Sequence, residues 1–256
     1  MFKIPQPENA ETYEGCPVVR VSDAAEDMTR VLAVLYDGDR MCDLPDAHFL
    51  PDAHFLPAAV SAWLRLGSKY QVDRWVNHAI RLLKARYPDT WRREKGDIIA
   101  VNLARKFGLD AILPAAFFAC SQLQLHELIP DSNPTTASSD DEDLTVLTPA
   151  DLRRCLSGRE LLSQYCLKRH DFLVVPTIPP ACESPDDCMD ALKSVLEFTW
   201  RKSSFDRLTE LPFMELDYFD SDELCSPCSE HYAEADERQR AEKWEELRAI
   251  FQLEKA

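Results

Sequence analysis

The chain has 256 residues, 45% of them hydrophobic, with only 6 glycines against 17 prolines. That hydrophobic share supports a folded core and argues against global disorder. So few glycines argue against phosphate-cradling loops and glycine-rich β architectures. A formal net charge of −16 without a dense Lys/Arg cluster disfavours nucleic acid and anionic membrane surfaces, and suits either simple solubility or basic protein partners.

No apolar stretch is long enough to span a bilayer, and Met1 to Ala10 lacks an apolar signal-peptide core. The expected location is therefore cytoplasmic, nuclear or both. The 9 cysteines are odd in number and mostly sit singly in helical patterns. In a reducing compartment they read as buried small hydrophobes rather than a disulfide framework.

Along the chain, the β-branched run Cys16 to Val21 predicts a strand. Ser22 and Asp23 resemble a helix N-cap, with Glu26 and Asp27 in the first turn. Met28, Val31, Leu32 and Leu35 recur at helical spacing up to Asp37-Gly38. The hexapeptide LPDAHF then occurs twice in tandem, over 44–49 and 50–55, and reads as a loop extension carrying His48 and His54. Pro57 opens a helix with Ala59, Val60, Trp63, Leu64 and Leu66 on its buried side. Gly67 and Lys69-Tyr70 mark a break before a further helix from Val72 to Leu83. From Asp97 a helix pair is expected, the second member running from Ile112 to Leu128.

Asp131 to Asp143 has no apolar residue larger than alanine and ends in an acidic run, the composition of a disordered linker. Within it Ser138 and Ser139 stand three residues before Asp141 and Glu142, the spacing an acidophilic kinase prefers; a merely solvated linker is the competing reading. Thr148-Pro149-Ala150-Asp151 restarts order as a capped helix carrying Leu152, Leu156, Leu162 and Cys166. Phe172 to Pro180 reads as extended, and Ser184-Pro185-Asp186-Asp187 as another cap. Leu211 to Phe219 reads as irregular, and about Ser229 to Leu253 as a last helix whose Trp244 is expected at the surface.

One constellation suggests metal chemistry. In Cys225-Ser226-Pro227-Cys228-Ser229-Glu230-His231, a Cys-x-x-Cys pair presents two thiolates to one ion, and His231 follows three residues later. Cys182, before a helix cap, and Cys188, in that helix's first turn, complete a tetrahedral set in one reading. In the other, the set is two cysteines and His231 with one more cysteine. Either would be a structural zinc site, set against the alternative of separate buried thiols. No βαβ context supports a redox Cys-x-x-Cys. Nucleophile elbow, Walker, Rossmann and His-Glu-x-x-His motifs are missing from the sequence, so no enzymatic activity is expected. His78, His126 and His170 read as polar helix-face residues.

Val31-Leu32-Ala33-Val34-Leu35-Tyr36-Asp37-Gly38 and Leu64-Arg65-Leu66-Gly67-Ser68-Lys69-Tyr70-Gln71-Val72 resemble two helix ends of the BTB/POZ domain. Cys16 to Val21 resembles the strand before them, and Trp75 to Leu83 the closing helix. The later layout is similar to BTB-containing proteins of basidiomycete fungi. The resemblance implies a mainly α fold with a few short strands. It comprises a partial BTB/POZ-like domain over 1–87, a helical extension over 88–130, the acidic linker over 131–147 and a C-terminal helical domain over 148–256. It also implies that Tyr36 caps a buried helix end. The family's earlier strands and helix, which build much of its dimer interface, have no counterpart after Met1, so the domain is read as truncated at its N-terminus. The functional expectation is a non-enzymatic protein-binding scaffold or adaptor, with self-association, transcriptional regulation or ubiquitin-ligase recruitment as roles the resemblance implies.

Overall fold

Helix starts in this chain follow its prolines and polar caps. The structure is a computed structural model. It describes residues 11–36, 56–87, 98–129, 144–169, 171–202, 213 and 223–253, of which 71% are helical and 2% in strands, making the fold mainly α. Thr148 accepts a hydrogen bond at Oγ1 from the Asp151 N–H at 3.1 Å, and Pro149 begins the helix behind it, as the sequence predicts.

The chain enters through a hairpin of β1 (Thr12–Tyr13) and β2 (Cys16–Pro17), antiparallel, turned at Glu14 and Gly15 with positive φ. The strand expected over Cys16 to Val21 is therefore only its first two residues. Val18 N–H still reaches the Glu11 carbonyl at 2.8 Å, but Val19 and Val21 are exposed, and among the described residues no further strand pairs with them.

Helices α1 (Ala25–Tyr36), α2 (Leu56–Tyr70) and α3 (Asp73–Arg86) pack in succession. Asp23 is not simply a cap. Its carboxylate accepts from Lys69 Nζ at 2.6 Å and from the Tyr70 hydroxyl at 2.5 Å, while Asp27 pairs with Arg65, so α1 is tied to α2 along its acidic start. Gly67 does not break α2. A Cβ there would meet Val76 Cγ2 at 2.9 Å, so the missing side chain lets α3 approach, and the chain turns at Gln71 with φ 56°. Tyr36 is 86% exposed, against the expectation that it caps a buried end.

Beyond these lie α4 (Ile98–Lys106), α5 (Leu113–Ser121), α6 (Leu125–Leu128), α7 (Pro149–Lys168), α8 (Asp171–Val174), α9 (Pro185–Lys202), α10 (Ser226–Glu245) and α11 (Leu247–Ile250). The single helix expected over Ile112 to Leu128 is split, because Gln124 and Glu127 form a capping box that starts α6 afresh. Of the segment Phe172 to Pro180, expected extended, Phe172 to Val174 belong instead to the helical turn α8. The last helix begins at Ser226 rather than near Ser229, with Pro227 in its first turn.

One core joins Val31, Leu64, Trp75 and Leu83 to Val101, Ile112 and Phe117, and these to Cys155, Leu162, Leu247 and Phe251. It thus crosses the boundaries that composition suggests at 87/88 and before Thr148. Gly158 shows how closely its last layer is packed: a Cβ there would lie 2.2 Å from the Phe251 ring. Trp63 is buried as predicted, and Trp75 is buried as well. Trp244, expected at the surface, is partly buried and sits edge-on to Phe118 at 5.6 Å and to Phe213 at 5.1 Å. His78 is likewise buried, against Trp63 with 5.4 Å between ring centroids, rather than lying on a polar face. His126 is exposed.

A second, smaller core holds Leu173, Cys188, Ala191, Leu192, Val195, Leu224, Cys228 and Tyr232. Helix α10 belongs to both cores, with Cys228 and Tyr232 in the small one and Trp244 against the large one. Between them Arg169, at the C-terminal cap of α7, donates from Nε at 3.0 Å and from Nη2 at 2.6 Å to Asp236 Oδ1. Both side chains are almost wholly buried. Asp236 Oδ2 accepts from Arg240 Nε at 3.0 Å, which completes its pairing.

Candidate metal centre

Four thiols of the small core converge. The sulfurs of Cys182, Cys188, Cys225 and Cys228 all lie within 4.8 Å of one another. A turn closed by the Cys182 N–H on the Pro179 carbonyl at 3.0 Å presents the first. Cys188 follows in the opening turn of α9, where its N–H bonds the Ser184 carbonyl at 3.0 Å. Cys225 is the extended N-cap of α10, and Cys228 lies three residues into it, with its N–H on the Cys225 carbonyl at 3.0 Å. The Cys-x-x-Cys is thus a helix N-terminus, and the ends of two helices meet over the thiols. Partial positive charge at such termini favours anions there.

The sulfurs also receive backbone N–H groups. Cys225 N–H lies 3.5 Å from Cys188 Sγ. The Glu183 N–H is the main reason that the Cys225 thiol is lowered to about 6, with the Cys228 N–H acting in the same direction. Burial pushes Cys182 and Cys228 the other way, Cys228 strongly, with the neighbouring thiols adding to its rise. These opposed shifts are those of acids crowded round one point. The donors favour a first negative charge, and each further one is resisted by the last. A divalent cation at the centre would remove that resistance.

Distances fit a single ion. Cys182 and Cys225 sulfurs are 3.7 Å apart. A tetrahedron with metal–sulfur bonds of ~2.3 Å has edges of about 3.8 Å. A disulfide would need about 2.05 Å. His231 does not belong to the set. It is exposed on α10 with its ring edge-on to Tyr232 at 5.2 Å, and four sulfurs already supply a tetrahedral complement. Of the two ligand sets open in the sequence, the structure assembles the all-cysteine one.

Among the other described cysteines, Cys120, Cys155 and Cys166 are buried core residues and Cys16 is exposed. Burial pushes the Cys155 thiol up to about 12 and the Cys166 thiol up to about 11, which keeps both protonated and inert. Tyr232 is a supporting residue that spacing alone does not single out, although it falls one turn after Cys228. Its hydroxyl donates to the Thr177 carbonyl and accepts from the Thr177 N–H, each at 2.9 Å, and its ring stacks on Phe172 at 6.0 Å. That clamps the strand-like segment before Cys182 onto α10. Ser138, Ser139, His48, His54 and His170 lie outside the described residues, as do the linker 131–143 and, apart from Phe213, the segment 211–219.

No family model, no curated protein and no solved structure matches the chain. Among the described residues, no helix is long and apolar enough to cross a membrane.

Proposed function

We propose that this chain is a non-enzymatic, protein-binding helical scaffold whose C-terminal part is held by one structural zinc ion on Cys182, Cys188, Cys225 and Cys228. The observation that carries the metal is the convergence of four sulfurs within 4.8 Å at two helix N-termini. Soft thiolates in a tetrahedral set select zinc, and four protein ligands leave no open position for a substrate. That closed shell supports a structural role over a catalytic one. The small core itself supports the same reading, since a core of this size commonly needs a staple.

The binding role is supported by the BTB/POZ-like stretch and by a short run of exposed apolar residues in the N-terminal segment, Tyr13, Val18, Val19 and Val21. A scaffold or adaptor that recruits basic protein partners fits the charge of −16. Elemental analysis of the purified protein tests the metal. One zinc per chain is expected, with none in the Cys225→Ser/Cys228→Ser variant. A metal-free wild type, iron in place of zinc, or unchanged stability of the double variant would refute it. For the binding role, affinity purification from cells together with light scattering of the pure protein is the test. A strict monomer with no reproducible partner would count against it.

A further inference from the structure

The four sulfurs are not equivalent. Cys188 and Cys228 are 1% and 0% exposed and sit inside helices, while Cys182 and Cys225 are partly exposed and lie just outside them, in a turn and at an extended N-cap. A small oxidant therefore meets Cys182 and Cys225 first. Those two sulfurs are 3.7 Å apart, and closing that distance to a disulfide needs a movement of about 1.6 Å. A turn and a cap can yield that without unwinding a helix, whereas Cys188 and Cys228 cannot move without it.

We infer that Cys182 and Cys225 form the oxidisable pair of this centre, and that their disulfide releases the metal in response to peroxide. This rests on the zinc reading above. One thiolate of the pair attacks a peroxide oxygen: an S–O bond forms, the O–O bond breaks and hydroxide leaves. The second thiolate attacks the sulfenic sulfur: the S–S bond forms, the S–O bond breaks and a second hydroxide leaves. The two sulfurs lose two electrons, peroxide gains them, and two protons from solvent turn the hydroxides to water. Zinc, left with Cys188 and Cys228 alone, dissociates as the aqueous ion. The cross-link joins residues 43 apart in sequence and so holds the turn before α9 against the start of α10, which keeps the site ready to reform on reduction by a thiol.

The test uses the full-length, reduced, zinc-loaded protein. Hydrogen peroxide is added, zinc release is followed with a chromogenic chelator, and disulfides are mapped by peptide mass spectrometry. The expected result is release of one zinc per chain, a Cys182–Cys225 disulfide as the main product, and rebinding of zinc after dithiothreitol. A Cys182→His variant keeps four ligands but cannot form the bond, and is expected to hold its zinc at least ten-fold longer in the same peroxide. Zinc retained by the wild type, release with a different disulfide such as Cys225–Cys228, or release from the histidine variant at the wild-type rate would overturn the inference and leave the zinc reading standing. Reduced protein that binds no zinc at the outset would overturn the zinc reading, and metal release with it.

Discussion

His78 is a buried titratable group whose surroundings determine its charge. Arg81 Nη2 lies 2.8 Å from Nδ1, so the ring accepts there and is neutral, while Nε2 finds no partner among the described residues. Burial first, then Arg81 and Arg74, hold its pKa below the usual 6.5. With the folded value lowered, the unfolded chain takes up the proton first as pH falls. The stabilising contribution is then complete above about 6.5 and is lost progressively below it. Urea midpoints at about pH 7.5 and about pH 5 should differ more in the wild type than in His78→Gln; equal differences would contradict this assignment. At the same scale the Cys-x-x-Cys is legible in sequence because its two ligands are neighbours, and Cys182 and Cys188 because they flank a proline cap. The exclusion of His231 is not legible, since it depends on α10 starting at Ser226 and on which residues face the small core.

Among the elements, starts marked by proline or a capping side chain are readable and interruptions are not. Thr148, Pro149 and Pro185 announce their helices correctly. Thr148→Ala should lower stability by about 1 kcal/mol in chemical denaturation, because the Asp151 N–H loses its acceptor. Gly67 misleads because a glycine within a helix can mark a close helix contact as well as a break, and only the position of Val76 decides between them. Gly158 is the same case in α7, seated on the buried Phe251. Gly158→Ala should cost about 1–3 kcal/mol by forcing α11 away from α7, more than its gain in helix propensity returns. A neutral or stabilising alanine would mean the ring moves freely. Helices α9 and α10 meet at the thiol cluster, so metal removal with a strong chelator should raise amide exchange first over 182–195 and 225–236, with the large core less affected.

For the whole molecule, two cores share α10, and the Arg169–Asp236 pair lies where that helix passes from one to the other. Its partners are 67 residues apart, beyond any local pattern, which is why the sequence does not reveal the join. Arg169→Met leaves Asp236 buried with only Arg240 and should cost about 3–5 kcal/mol by urea denaturation, whereas Arg169→Met with Asp236→Leu should recover most of that. Failure of the second change to recover stability would assign the pair a role beyond charge neutralisation. The helical spacing of α1 to α3 is legible from local patterns, but the way they join one core with α7 and α11 depends on contacts that no local motif encodes. The four-sulfur metal site is open to zinc-edge X-ray absorption of the purified reduced protein. The expected result is one zinc per chain with four sulfur neighbours at ~2.3 Å. Nitrogen or oxygen in that shell, or no bound zinc, would contradict it.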